Sequence, residues 1–245
     1  MSILRASGNS LGRRHFVASA AGACAFAPAA IASAQVGTPA RALTREERDR
    51  MTPEQVIAEL EKGNDRLRPG RPLPHDHVGQ QGSSAAGQYP AAVVLGCVDS
   101  RTPAEILFDV GIGDTFNGRI AGNVVNDDLI GSLEFACALS GAKAIVVFGH
   151  TACGAVKGAI DDVELGHLTG LLARIKPAIA ATTFEGEKSS RNPAYVDAVA
   201  KTNVAMTLDH IRRRSPILAD LERKGSIRVA GAMYDLATGR VEFFA

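Results

Sequence analysis

The chain of 245 residues contains no tryptophan, only four cysteines and almost no net charge. Its 27 basic and 26 acidic side chains nearly balance, which gives no reason to expect nucleic acid or an anionic membrane surface as a partner. Loss of the N-terminal leader predicted below would leave three cysteines, Cys97, Cys137 and Cys153. An odd number argues against a disulfide framework and indicates another task for some thiols, although Cys137, within an apolar helix, is expected to be a core thiol.

The first 34 residues have the parts of a bacterial twin-arginine (Tat) export signal. Arg13 and Arg14 precede a small, alanine-rich apolar stretch that ends in Ala32-Ser-Ala34. The alternative is a transmembrane anchor, but the apolar stretch is short and is interrupted by Pro28. We therefore expect residues 1–34 to be cleaved after export by the Tat machinery, with a periplasmic or secreted location for the mature chain.

The remaining sequence is typical of one α/β domain. Residues 35–50 are predicted to form a linker and an N-terminal helix, and residues 51–245 the domain itself. Two continuous apolar runs, Val93–Leu95 and Ala144–Phe148, are typical of buried parallel strands, and helical patterns alternate with them. The chain closes with a predicted hairpin at the sheet edge, whose last strand is Val241–Phe244.

Side-chain spacing and turn residues predict three features outside the strands. One helix is expected over residues 165–181 and a longer one from about residue 194 to residue 214. Residues 66–89 are rich in Pro, Gly, Ser and His and predict a loop. His75 and His77 lie in that loop, and we expect them to be solvated rather than to bind a metal.

Metal-binding and charged side chains follow both apolar strands at the point where each strand ends: Cys97, Asp99, Arg101, His150 and Cys153. Because the carboxyl ends of adjacent parallel strands meet at one edge of a sheet, we expect these side chains to form one site. Cys153 is predicted to lie one turn along a helix that His150 opens. That position near a helix N-terminus is expected to lower the pKa of the thiol.

Two cysteines and a histidine with one further position are a typical zinc ligand set. We predict that Cys97, His150 and Cys153 bind a catalytic zinc ion. In one alternative, Asp99 fills the fourth position permanently and the zinc is structural, but a domain of this length has an adequate core without a metal. In the other, Cys97 and Cys153 form a redox disulfide, which leaves His150, Asp99 and Arg101 without a purpose.

The segments Cys97-Val-Asp-Ser-Arg101 and His150-Thr-Ala-Cys153 resemble the metal-site motifs of the β-class carbonic anhydrases. The similarity runs from about Met51 to Phe244 and includes Arg119-Ile-Ala-Gly-Asn123. The resemblance implies zinc-dependent, reversible hydration of carbon dioxide to bicarbonate and a proton. It also implies a parallel sheet of about four strands with an added C-terminal edge strand, flanking helices, and a homodimer or homotetramer with sites near the subunit interface.

The resemblance also assigns roles to single residues. Cys97, His150 and Cys153 match the family's zinc ligands, with one ion per subunit. Asp99 and Arg101 match its catalytic Asp–Arg pair, and Asp99 binds the metal only in a closed state.

Further residues match the substrate-binding positions of the family: Gln88, Phe116, Ala121 and Gly154. Departures lie close to them, because Ile120 stands where many members have Asn and Ala121 stands where some have Val. These departures alter the shape of the pocket and leave the metal ligands unchanged.

Two other functions fit the same residues. The site could hydrolyse carbonyl sulfide or carbon disulfide, since these linear molecules also suit attack by hydroxide. The chain could instead be a non-catalytic zinc-binding interaction module. An assay of carbon dioxide hydration, with zinc content measured alongside, separates the three functions.

Overall fold

The structure is a computed structural model that describes residues 41–244. The predicted export signal, its cleavage point and the first part of the 35–50 linker lie outside the described residues. Within the described range the chain forms five strands: β1 (Ala92–Gly96), β2 (Thr115–Arg119), β3 (Ala144–His150), β4 (Arg228–Tyr234) and β5 (Val241–Phe244).

Helices connect and flank these strands. Between residues 41 and 244 they are α1 (Arg45–Arg50), α2 (Pro53–Leu67), α3 (His77–Ser84), α4 (Ala104–Leu107), α5 (Asp127–Glu134), α6 (Gly154–Ile160), α7 (Gly166–Leu172), α8 (Lys176–Ala181), α9 (Pro193–Arg214) and α10 (Pro216–Arg223). A 3₁₀ turn at Ala121–Asn123 and a π-helical turn at Phe135–Leu139 complete the elements. No helix in this part of the chain has the length and apolar character needed to cross a membrane.

The strands form one sheet in the order β2-β1-β3-β4-β5. β2, β1, β3 and β4 run parallel, and β5 pairs antiparallel with β4 at one edge. The predicted α/β class, the parallel strands and the added C-terminal edge strand are therefore confirmed. β1 and β3 are direct neighbours, with Gly96 opposite Phe148, so the segments that follow the two strands begin side by side.

Different helices cover the two faces of the sheet, because side chains alternate in direction along a strand. Val93 and Leu95 of β1 contribute to a core with α5, α9 and α10. Val94 contributes to the opposite core, where α2 and α4 lie. Every residue of β1 and β3 is buried, as their continuous apolar sequences predict. The ends of both strands are therefore held by packing on each side.

The prediction of a loop throughout residues 66–89 is wrong, because α3 lies within it. The carboxylate of Asp76 accepts a hydrogen bond of 2.9 Å from the backbone N–H of Gly79 and so caps the helix. This cap compensates in part for the low helix propensity of the glycines and serines in α3.

His75 is not a solvated histidine. Its Nε2 lies 3.1 Å from Oδ1 of Asp109, which is buried, and its side chain is only 11% exposed. Its ring stacks on that of His77, which is exposed. Asp109 lies 34 residues further along the chain, so no local pattern reveals this contact.

The helix predicted over residues 165–181 is two helices, α7 and α8. Pro177 lies in the first turn of α8, where proline is tolerated because backbone N–H groups there have no helical acceptor. The long helix predicted to end near residue 214 is confirmed as α9.

Candidate metal centre

Three candidate ligands come from the ends of two neighbouring strands. Cys97 follows β1, His150 is the last residue of β3, and Cys153 is the residue before α6. One ligand atom of each lies within 4.8 Å of those of the other two, and all three residues are buried. The adjacency of β1 and β3 thus brings together groups that are 53 positions apart in the sequence.

The imidazole of His150 is fixed in one orientation. Its Nδ1 lies 2.9 Å from the backbone carbonyl of Thr151, and a carbonyl can only accept, so Nδ1 carries the hydrogen. Nε2 therefore presents a lone pair. This atom is buried and has no hydrogen-bond partner among the described residues. Because an unpaired buried nitrogen is costly, its position beside two sulfurs fits a metal ligand.

The pKa values of the two thiols of the cluster, Cys97 and Cys153, are shifted in opposite directions. Cys153 donates a hydrogen bond to Cys97, which holds the pKa of Cys97 well below its usual range; the N–H of Gly122 acts in the same direction, and burial opposes both. The Gly122 nitrogen lies 3.3 Å from Sγ of Cys97. The same contact with Cys97, followed by burial, raises the pKa of Cys153. The helix N-terminus was expected to lower the pKa of Cys153. The N–H groups of α6 do act in that direction, but the contact with Cys97 and burial outweigh them.

The turn between His150 and Cys153 differs from the predicted helix. His150 still belongs to β3, and α6 begins only at Gly154. Ala152 adopts a left-handed conformation with φ of 53°, and its N–H donates a hydrogen bond of 2.8 Å to Asp197 of α9. Cys153 therefore reaches the cluster through a tight turn rather than along a helix face.

Asp99 and Arg101 form a bidentate pair next to the cluster. Nε and Nη2 of Arg101 donate to the two carboxylate oxygens at 2.9 and 2.7 Å, and the backbone N–H of Arg101 donates a third bond. These bonds from Arg101 hold the pKa of Asp99 well below its usual range. Oδ2 of Asp99 is 3.9 Å from Nε2 of His150, so the carboxylate lies beside the candidate ligands while its oxygens bind Arg101.

Arg119 has a position that the sequence did not reveal. From the end of β2 its Nε donates to the carbonyl of Cys97 at 2.9 Å, and its Nη2 contacts the carbonyl of Asp99 and Oγ1 of Thr102. The feature that could have predicted this position is the strand register, because Arg119 is the last residue of β2 and pairs with Gly96, the residue before Cys97.

Helix α9 holds a further backbone segment near the cluster. Nδ2 of Asn203 donates a hydrogen bond of 2.7 Å to the carbonyl of Gly122, and Oγ1 of Thr207 lies 3.4 Å from that of Asn123. With Asp197, this helix therefore contacts both turns that border the candidate ligands. Partners separated by more than 40 residues leave no local mark in the sequence.

The four predicted substrate-binding residues occupy different places. Ala121 precedes Gly122, and Gly154 begins α6, so both border the ligand turns. Phe116 lies on β2, and its ring contacts that of Phe135 edge-on at 5.9 Å. Gln88 lines a separate surface pocket with Ile112 and Gly113, and no hydrogen bond within the described range joins it to the ligands.

The cysteines in the described part of the chain are all free thiols. Cys137 is buried in the π-helical turn, and burial raises its pKa to about 12. This environment is that of an inert core thiol, as the apolar helix predicted.

Known proteins resemble both the sequence and the structure. Residues 92–241 match the model of the carbonic anhydrase family. Carbonic anhydrase 2 of Mycobacterium tuberculosis is 37% identical over 183 residues, which are 74% of this chain and 87% of that protein. The carbonic anhydrase of Mycolicibacterium smegmatis is 37% identical over 185 residues, 75% of this chain and 89% of that protein.

Among solved structures, one from Sordaria macrospora, described as a study of two tetrameric β-carbonic anhydrases, superposes with a TM-score of 0.58. It is 27% identical in sequence and covers 66% of this chain and 83% of its own.

Proposed function

The chain belongs to the β-class carbonic anhydrase family, and we propose that it catalyses the zinc-dependent, reversible hydration of carbon dioxide to bicarbonate and a proton. The observation that carries this proposal is the buried cluster of two cysteine sulfurs and one imidazole nitrogen beside a bidentate Asp–Arg pair. The relatives from two mycobacteria are carbonic anhydrases by name, which supports the same activity here.

The three residues of the cluster fit zinc. Thiolates and imidazoles are the ligands that zinc takes in proteins, and the lone pair on Nε2 of His150 has no other described partner. Zinc, when bound, lowers the pKa of water from ~15.7 toward ~7 and so supplies hydroxide at neutral pH. The thiolates of Cys97 and Cys153 cancel the charge of the ion, so we expect a smaller effect than three neutral imidazoles would give.

Asp99 orients the nucleophile in this proposal. Because its pKa lies well below the usual range, its carboxylate is ionised at neutral pH and can only accept hydrogen bonds. It accepts the hydrogen of the attacking hydroxide, which leaves a lone pair of that oxygen directed at the carbon of carbon dioxide. As the new carbon–oxygen bond forms, one C=O π pair of carbon dioxide moves onto its oxygen, which gives bicarbonate; the proton lost when water became hydroxide passes to solvent. Orientation of this kind lowers the barrier by fixing the reacting atoms before attack.

Arg101 positions Asp99. Its guanidinium occupies both carboxylate oxygens and so keeps the carboxylate from becoming a fourth ligand. Arg101 is 55% exposed, so solvent reaches this pair from one side. Breaking the pair would free Asp99 to bind the metal and exclude the water that the reaction consumes.

One experiment separates the candidate activities. Purified mature protein is assayed for bound zinc by mass spectrometry and for carbon dioxide hydration by stopped flow. We expect about one zinc per chain, and hydration that a chelator abolishes and zinc restores. Full zinc occupancy without hydration, but with hydrolysis of carbonyl sulfide or carbon disulfide, would establish that alternative. Full occupancy with neither activity would leave the zinc-binding interaction module.

We also propose that the enzyme is a homodimer or homotetramer. The described relatives from Sordaria macrospora are tetrameric. Strand β2 lies at one edge of the sheet formed by residues 41–244, and large apolar side chains nearby are exposed: Ile106 by 61%, Phe135 by 49% and Leu139 by 78%. Light scattering should show an oligomer for the wild type and a monomer for the double variant Phe135→Glu with Leu139→Glu. A wild-type monomer would contradict the proposal.

The location of the enzyme is a proposal from the sequence alone. Arg13, Arg14 and the Ala32-Ser-Ala34 end support export by the Tat pathway. Cell fractionation should find the wild type in the periplasm or medium with Gln35 as its first residue. The double variant Arg13→Lys with Arg14→Lys should stay in the cytoplasm as the uncleaved precursor, and unchanged export would contradict the assignment.

A further inference from the structure

A small cavity lies between helix α9 and the segment that joins α7 to α8. Its volume is about 130 Å³, and none of the three candidate metal ligands lines it. This volume corresponds to roughly four water molecules at ~30 Å³ each. The charged or titratable side chains that line it are all basic: Arg174, His210 and Arg214. We propose that this cavity binds a small oxyanion of the size of bicarbonate or inorganic phosphate.

The basic groups converge from two walls. Thr207, His210 and Arg214 follow one another at intervals of three and four residues, so they lie on one face of α9. Arg174 comes from the opposite wall, between α7 and α8. Two guanidinium groups on opposite walls suit an oxyanion, because each can donate two parallel hydrogen bonds to its oxygens.

The polar residues deeper in the cavity are already engaged. Asn203 and Thr207 are buried, and they contact the carbonyls of Gly122 and Asn123. They therefore shape the cavity, while the charge that attracts a ligand comes from the basic groups around them. The same contacts place the cavity directly behind the turn whose Gly122 N–H reaches the sulfur of Cys97.

The guanidinium groups retain donors for a ligand. Arg214 pairs with Asp127 through one Nη2 contact of 2.5 Å, but both side chains are exposed, and such a pair is weak. Arg174 forms no ion pair within residues 41–244. A guanidinium has five N–H donors, so a single contact leaves most of them free.

His210 reports on the charge of the cavity. Burial lowers its pKa, the charges of Arg213 and Arg214 act in the same direction, and Asp209 opposes them. Arg174 faces it from the other wall. An anion bound among these groups would favour the imidazolium form, so binding should raise the pKa of His210.

The test uses the zinc-loaded mature protein at constant ionic strength. The pKa of His210 is measured by NMR while inorganic phosphate, or in a second series bicarbonate, is titrated. We expect a saturable rise in this pKa, and binding about tenfold weaker in Arg174→Met and in Arg214→Met. Arg213→Met is the matched control, because it removes a charge that acts on His210 as that of Arg214 does but belongs to a residue that does not line the cavity; it should weaken binding clearly less than Arg214→Met, since no hydrogen bond to the anion is lost.

The outcomes divide clearly. Saturable shifts with both anions support a general oxyanion site, and a shift with bicarbonate alone supports a site for the ion that the enzyme itself handles. No saturable shift with either anion overturns the proposal, as does an equal loss of binding in Arg213→Met and Arg214→Met. Arg174 is exposed on the surface, so its variant tests the site even if a substitution in α9 impairs folding. Because phosphate binding is read without turnover, its failure is distinct from a failure of carbon dioxide hydration.

Discussion

The Nε of Arg119 donates a hydrogen bond of 2.9 Å to the backbone carbonyl of Cys97. The same guanidinium reaches the carbonyl of Asp99 through Nη2. A side chain at the end of β2 therefore holds the backbone of a candidate ligand and of Asp99, which is proposed to orient the nucleophile. The planar fork of arginine suits this task, because it presents several donors in fixed directions.

We predict that Arg119→Met lowers kcat/KM for carbon dioxide hydration at least about tenfold, because the Cys97–Asp99 segment loses its support. Zinc should still bind at saturation but should be released faster to a chelator. Arg119→Lys should recover only part of the rate, since one ammonium group cannot contact both carbonyls in the same geometry. A wild-type rate and zinc-release half-time in Arg119→Met would contradict the assigned role.

Asp99→Asn and Arg101→Ala should each lower turnover at least about 100-fold while zinc content stays near one per chain. The first removes the acceptor that is proposed to orient the nucleophile, and the second releases the carboxylate from its partner. Stopped-flow hydration with zinc analysis of the same samples measures both. Asp65→Asn, an exposed change on α2, is the control and should leave the rate unchanged. Near-wild-type turnover in Asp99→Asn or in Arg101→Ala would contradict the role proposed for that residue.

Substitution of a proposed zinc ligand should remove both the bound zinc and the stability that zinc binding gives to the folded chain. His150→Ala and Cys153→Ser are expected to lose most of the bound zinc, whereas Cys137→Ala should keep it. Zinc at 100 times its dissociation constant stabilises a folded protein by about 2.7 kcal/mol, so chelation should lower the thermal midpoint by several degrees in the wild type. The two ligand variants should show no such change. Equal zinc content in the wild type and both ligand variants would refute the ligand assignment.

Cys137 should make the stability of the protein depend on alkaline pH. Its pKa is about 12 in the fold, above the value near 8.5 of an unfolded thiol, so the neutral thiol contributes stability that is complete below about pH 8.5. That contribution is lost as the pH rises toward about 12, by about 1.4 kcal/mol per pH unit. Urea unfolding of the wild type and of Cys137→Ala at pH 8–10 measures the difference. Parallel pH dependences would show that this thiol ionises as easily in the fold as outside it.

The meeting of Cys97 and His150 could be predicted because it depends on two continuous apolar strands. Such strands are buried on both faces and run parallel, and parallel neighbours share one edge for their carboxyl ends. The Asp99–Arg101 pair could also be predicted, because the two residues lie in one short loop and their contact does not depend on the rest of the fold.

The supporting contacts could not be predicted, because they join residues far apart in sequence. Asp197 holds the N–H of Ala152 from a helix 45 residues away, and nothing near Asp197 distinguishes it from any surface carboxylate. His75 shows the same limit, since its partner Asp109 is identified only by the fold. The prediction of a helix between His150 and Cys153 is wrong for a local reason. Ala152 has a left-handed conformation, which is uncommon for alanine and has no signature in the sequence.

The pairing of β1 with β3 also determines when the three candidate ligands come together. Cys97 and His150 become neighbours only after a parallel strand pair has closed a segment of some 50 residues, and such non-local pairing is among the slower events of folding. A newly made chain therefore offers His150 and Cys153, three residues apart, and Cys97 joins them only once the sheet has formed. If the site binds zinc as proposed, it is complete only in the folded chain, and the proposed export of a folded protein would then carry the ion with it.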